Sequence, residues 1–253
     1  MSETPVSVET IEIAAPDGIA DTLVARPDAG SHRGVLFVMD AFGLRPTIVE
    51  MVERIARDGY LVLAPNVLYR AGSSPLVAAD ELAEPERRSA AFAQLRPEIM
   101  ALGRERVAAD GAAFLDALTD AGAEGPVAVT GYCMGGRVGW WLAVTHPGRV
   151  AAVAAFHTGG LVNDEDDSPH RAAADIRAEL LFGFADEDPG MTREQIATLE
   201  RTLDEAGLRA TVDVYDGARH GYTMADQPVF DEAARERHFA ELGALLERAL
   251  PRA

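Results

Sequence analysis

Apolar residues along the chain come in short unbroken runs separated by stretches with helical spacing. The runs GVLFVM at 34–39 and YLVLA at 60–64 contain no polar interruption. Such runs predict strands covered on both faces. Between them, Ile48, Met51, Val52 and Ile55 recur on one stripe, which predicts a helix over 47–58. The alternation continues with strands at 127–130, 150–156, 179–184 and 211–215. Helices are expected at 97–118, 138–144, 192–206 and 230–250, with Gly207 closing the third of these as a C-cap residue. At the amino end, β-like runs at 6–13 and 19–26 flank the turn sequence Ala-Pro-Asp-Gly and read as an antiparallel pair at a sheet edge. Buried strands alternating with helices imply right-handed crossovers. The expected architecture is α/β, with a mainly parallel central sheet, helices on both faces and an antiparallel N-terminal edge. With no internal repeat or low-complexity linker, residues 1–253 read as one domain.

Two stretches interrupt the alternation, 66–96 and 159–168, and long loops in such folds often cover a site. The second contains the run Asn-Asp-Glu-Asp-Asp at 163–167, which lacks the glycine and distal glutamate of a calcium loop and reads as solvated. Acidic residues outnumber basic ones 41 to 23, a formal charge of −18, so nucleic acid or an anionic membrane is not expected as a partner. All the basic residues are arginine, which leaves no lysine for Schiff-base chemistry. The N-terminal segment lacks the pattern of a signal peptide, and no apolar run approaches the roughly 20 residues of a membrane span. A soluble cytoplasmic protein is the expectation, with no disulfide framework, because the chain has a single cysteine.

That cysteine lies in GYCMGG at 131–136, between a predicted strand and a predicted helix. G-x-C-x-G in this position is the nucleophile-elbow pattern with sulfur in place of the serine oxygen. The glycines at 131 and 135 let strand and helix approach, and the helix N-terminus favours a thiolate at Cys133. The N–H of Met134 is then a candidate oxyanion donor. A nucleophilic thiol needs a base and usually an orienting acid. In elbow enzymes these follow in the order nucleophile, acid, histidine, each after a later strand. Asp186, in GFAD after the 179–184 strand, and His220, in ARHGY after the 211–215 strand, fit that order. Asp188 competes with Asp186. His157, at the end of the 150–156 strand, is the rival of His220. His32, His146, His170 and His238 fall at the wrong edge, at a helix end, after the acidic loop and within the last helix.

With Cys133, Asp186 and His220 in this order, the chain resembles the dienelactone hydrolase family, a cysteine branch of the α/β-hydrolases. GYCMGG matches that family's G-[YF]-C-x-G-G elbow, and the resemblance runs from the first buried strand to the last helix. It implies the α/β-hydrolase fold and cleavage of an ester or lactone through a Cys-His-Asp triad and an acyl-thioester, with no metal or organic cofactor. It also implies that Asp40, in Asp-Ala-Phe-Gly at 40–43, stands for the family's glutamate, which helps take the thiol proton when substrate binds. The N–H of Ala41 becomes the second oxyanion donor. Arg70 occupies the place of one of two substrate-binding arginines, while Met224 and Gly221 replace the second arginine and a serine. The expected partner is a small-molecule ester or lactone, and the expected assembly a monomer or homodimer. The contrasting class is a ligand-binding or thiol redox-sensing protein on the same fold, which needs no ordered triad.

Overall fold

The computed structural model describes residues 5–28 and 33–250. Its strands are β1 (Val6–Ala15), β2 (Gly18–Pro27), β3 (Gly34–Val38), β4 (Leu61–Pro65), β5 (Val127–Tyr132), β6 (Val150–Phe156), β7 (Glu179–Ala185) and β8 (Ala210–Tyr215). They form an eight-stranded sheet in the order β1-β2-β4-β3-β5-β6-β7-β8. β1 pairs antiparallel with β2 and β2 antiparallel with β4, whereas every pairing from β4 through β3 to β8 is parallel. The expected sheet, including its antiparallel N-terminal edge, is therefore the observed one.

Seven helices accompany it among the described residues: α1 (Pro46–Arg57), α2 (Ala79–Ala83), α3 (Pro85–Ala101), α4 (Arg104–Asp120), α5 (Met134–Thr145), α6 (Arg193–Glu205) and α7 (Glu232–Ala249). Both sheet faces are covered, as β3 illustrates. Leu36 and Val38 meet Val107 and Phe114 of α4 and Val138 and Leu142 of α5. Phe37 instead stacks on Tyr132 at 4.8 Å, and that ring meets His238 of α7 edge-on. His238 is a core histidine, held between the Tyr132 hydroxyl and the Arg235 carbonyl oxygen, and burial pushes its pKa down to about 3.

Two expectations need correction. The helix expected over 97–118 is two helices that break at Leu102 and Gly103, and Pro97 lies inside the first of them. The stretch 66–96, expected as a loop, holds α2 and most of α3. The weak amphipathic pattern of α3 hides it: only Ala91, Leu95 and Ile99 are buried, while Phe92 and Met100 are exposed. The stretch 159–168 is irregular, as expected, and leads into a 3-10 turn at Pro169–Asp175.

The carboxyl ends of the parallel strands carry the chemistry. Asp40 and Ala41 follow β3, Cys133 follows β5, His157 follows β6, Asp186 and Asp188 follow β7, and His220 follows β8. Open α/β sheets bind ligands at this edge.

Candidate active site

Cys133 sits between the last residue of β5 and the first of α5 with φ 54° and ψ −119°, a backbone conformation that costs a non-glycine residue about 1–3 kcal/mol. Its N–H donates to the Phe156 carbonyl oxygen at 3.1 Å, which fixes the turn against β6. The flanking glycines are steric necessities. A Cβ at residue 131 would lie 2.2 Å from the Gly135 carbonyl oxygen, and one at residue 135 would lie 2.4 Å from that of Val38. The sulfur is partly buried and lines a cavity of about 530 Å³. Asp40, Ala41, Met134, Arg137, His157 and His220 line the same cavity, alongside apolar side chains that include Phe92 and Met100 of α3.

His220 lies beside Cys133 and gives its Nδ1 to the Oδ2 of Asp188 at 2.6 Å. Asp188 is nearly fully buried, and its Oδ1 accepts the Gly190 N–H at 2.8 Å. Asp186 does not reach the histidine. Its carboxylate accepts the Gly217 N–H at 3.0 Å, the Glu187 N–H at 3.1 Å and the Arg193 Nη2 at 2.6 Å, which hold it below the usual carboxylate range. The acid placed against His220 is thus Asp188, and the expectation of Asp186 is corrected. The physical reason is that β7 runs on through Ala185, so Asp186 ends up binding the β8 loop at the rim. Glu187, at φ 51°, then turns the chain and carries Asp188 inward.

The histidines sort themselves by contact. His157 is fully buried, shares Nε2 with the Thr223 hydroxyl at 2.7 Å and meets the His220 ring edge-on at 5.2 Å. Burial and the neighbouring His220 push its pKa well below the usual value, so it packs against His220 as a neutral ring. Burial also works against protonation of His220, but the charge on Cys133 and the hydrogen bond and charge of Asp188 outweigh it, pushing its pKa up to about 10. His146 bonds to the Ala108 carbonyl oxygen and His170 to Ser168, both outside the cavity. His32 lies outside the described residues.

A model of the dienelactone hydrolase family matches residues 20–250. The chain belongs to the dienelactone hydrolase family. A provisionally named carboxymethylenebutenolidase of Salmonella typhi is 30% identical over 217 residues, covering 83% of this chain and 76% of that one. The carboxymethylenebutenolidase of Rhodococcus opacus is 27% identical over 201 residues, with 79% and 74% covered. In fold, a provisionally named dienelactone hydrolase from Klebsiella pneumoniae superposes with a TM-score of 0.83 at 21% identity, covering 96% of this chain and 99% of that one. The α/β-hydrolase fold and membership of a hydrolase family are thereby fixed.

Two residues that the dienelactone hydrolase resemblance singles out are engaged elsewhere. Arg70 is absent from the lining of the Cys133 cavity. Its guanidinium is bound by Asp110 at 2.6 Å and Asp17 at 2.6 Å and lies over the Tyr69 ring, so it closes a structural contact behind β4. Asp40 does line the cavity, but both its oxygens are held by Arg45, at 2.7 and 2.9 Å, and Oδ1 also accepts the Phe42 N–H at 3.1 Å. It does not cap α1, whose N-cap is Arg45 itself.

Arg45, which the sequence did not suggest, is buried and spans Asp40 and Asp226, the latter at 2.5 Å in the loop beyond His220. Burial acts to lower its pKa, but the two carboxylates outweigh that and raise it, so the guanidinium stays charged. No local spacing could reveal this clasp, because its two acids are 186 residues apart in the chain (226 − 40). Arg45→Met leaves the buried Asp40 charge without its cation. We expect a loss of about 3–5 kcal/mol in folding stability. Urea denaturation of both proteins checks this, and a loss below about 1 kcal/mol would contradict it.

No helix among the described residues is long and apolar enough to cross a membrane, and no cluster of three metal-ligating side chains occurs among them.

Proposed function

We propose that the protein cleaves an ester or lactone through Cys133, His220 and Asp188. The supporting observation is the shared cavity in which the Cys133 sulfur meets a histidine whose far nitrogen is bonded to a buried carboxylate. Thiol, imidazole and acid in that order are what nucleophilic acyl transfer requires. A receptor or redox switch needs no ordered triad of thiol, imidazole and acid.

In the proposed sequence, the sulfur attacks the carbonyl carbon and a C–S bond forms. The carbonyl electrons move to oxygen, which accepts from the N–H groups of Met134, at the start of α5, and Ala41, just beyond β3. Collapse of this intermediate breaks the C–O bond, and the leaving oxygen takes the proton from His220. In a lactone the leaving oxygen stays attached to the acyl group. Water then attacks the thioester carbon, giving one proton to His220, and the C–S bond breaks to release the carboxylic acid and the Cys133 thiolate beside protonated His220. With Asp40 held at both oxygens by Arg45, the proton of Cys133 passes to His220 in this scheme.

The two half-reactions ask opposite things of His220, and its surroundings supply both. With Cys133 as a thiolate and Asp188 as a carboxylate beside it, His220 is raised to about 10, so it enters the acylation step as an acid. Once the sulfur is a neutral thioester the Cys133 contributions vanish while burial and Asp188 persist, so the ring's pKa falls from that value and its neutral, basic form becomes more accessible. The test is repeated turnover of aryl esters and five-membered lactones across pH. We expect kcat/KM, which reports the free enzyme, to fall on the alkaline side with a midpoint near 10, and kcat to rise with pH through a lower midpoint. An alkaline limb near the ordinary histidine value would contradict the assignment. Absence of turnover with every substrate would remove the hydrolase reading for this site.

A further inference from the structure

Arg137 stands one helical turn beyond the nucleophile on α5 and lines the wall of the Cys133 cavity. It is partly buried, yet among the described residues no carboxylate comes within ion-pair range of it. Its Nη2 donates to the Ile99 carbonyl oxygen at 2.7 Å, and its Nε is buried without any partner. Arg45, near the site, contrasts with it, since it is clasped by Asp40 and Asp226; so does Arg70, away from the site, which is clasped by Asp17 and Asp110. An ionised group withdrawn from water without a counter-ion is strongly disfavoured. Here burial pushes the guanidinium pKa down, and the charge on Cys133 opposes it.

The place of Arg137 says where a counter-ion would come from. A second cleft, of about 470 Å³, adjoins the Cys133 cavity, and the two share Met100, Arg137, Gly160 and Asn163 as lining. Gly160 faces Arg137 at this junction, where a Cβ would lie 3.8 Å from Nη1. The rest of the second cleft carries both signs, Glu165, Asp166, Asp167 and Asp175 beside Arg104 and Arg171, and Arg104 pairs with Asp175 at 3.1 Å, whereas Arg137 at the junction has no such acid.

We propose that Arg137 is a specificity-determining residue that receives a carboxylate borne by the substrate, at the junction of the two cavities, while the ester carbonyl lies at Cys133. The inference rests on the hydrolase reading above. It moves anion recognition from the loop after β4, where Arg70 is already neutralised, to the helix that carries the nucleophile.

The test compares two esters of equal acyl length at fixed ionic strength, para-nitrophenyl hemiglutarate and para-nitrophenyl valerate. Wild type is expected to favour the anionic ester. Arg137→Gln should lower its kcat/KM by roughly 10–100-fold, mainly through KM, and change the valerate by less than about 2-fold. Arg137→Lys should restore part of the loss. Equal losses on both esters would overturn the proposal and assign Arg137 to the sulfur or to the fold. Should the variants fail to fold, inhibition of wild-type valerate hydrolysis decides: glutarate should compete and glutaramide should not, and equal inhibition would overturn the proposal. Failure of wild type to turn over either ester removes the hydrolase reading instead. The arginine is then tested by glutarate against glutaramide in thermal unfolding of wild type and Arg137→Gln: a glutarate shift lost in the variant supports it, and its absence in wild type overturns it.

Discussion

Cys133→Ala is expected to lower kcat for a small aryl ester by roughly 10⁴-fold or more, the scale on which enzymes of this type lose rate without their nucleophile. The residual rate would come from the oxyanion donors and from binding, which the substitution leaves in place. The fold should persist, because the sulfur is only partly buried at a cavity wall and the glycines that set the turn are untouched. The measurement is hydrolysis by the purified variant together with its circular dichroism. Native-like spectra with unchanged hydrolysis would exclude the thiol from the mechanism.

The second large effect separates two aspartates on the same loop with one residue, Glu187, between them. Asp188→Asn is expected to cost roughly 10²–10⁴-fold in kcat/KM, because an amide no longer stabilises the imidazolium and can hold the ring in the wrong tautomer. Asp186→Asn removes a rim contact to Gly217 and Arg193 and should leave kcat/KM within about 3-fold, as substitutions away from the reacting groups usually do. Steady-state kinetics of the two variants, measured side by side, checks both statements. The opposite ranking would return the acid's role to Asp186.

The elbow and the parallel sheet were legible in the sequence because each has a local signature. Glycines at fixed offsets from Cys133 leave room for specific backbone atoms, and unbroken apolar runs mark strands covered on both faces. The position of His220 was legible from order alone, since each element of an elbow enzyme follows a later strand. What could not be read was how the turn after β7 is aimed. Whether residue 186 or 188 points inward depends on the end of a strand and on the positive φ of Glu187, and neither leaves a mark in composition. The clasp around Arg45 and the fate of Arg70 were hidden for a different reason. Each depends on acids brought close only by tertiary folding, Asp226 for the first and Asp110 for the second. Helix α3 escaped notice because its exposed Phe92 and Met100 face the cavity, which blurs the amphipathic stripe that would have announced it.

The order in which the strands contribute to the site has a consequence for the protein during its own synthesis. The thiol follows β5, but the imidazole proposed to activate it follows β8, the last of the described strands in chain order. A nascent chain that has already formed the elbow therefore carries a cysteine without its base. Under the proposed mechanism, a product terminated before β8 would carry the thiol without its base and be inert rather than an unselective esterase.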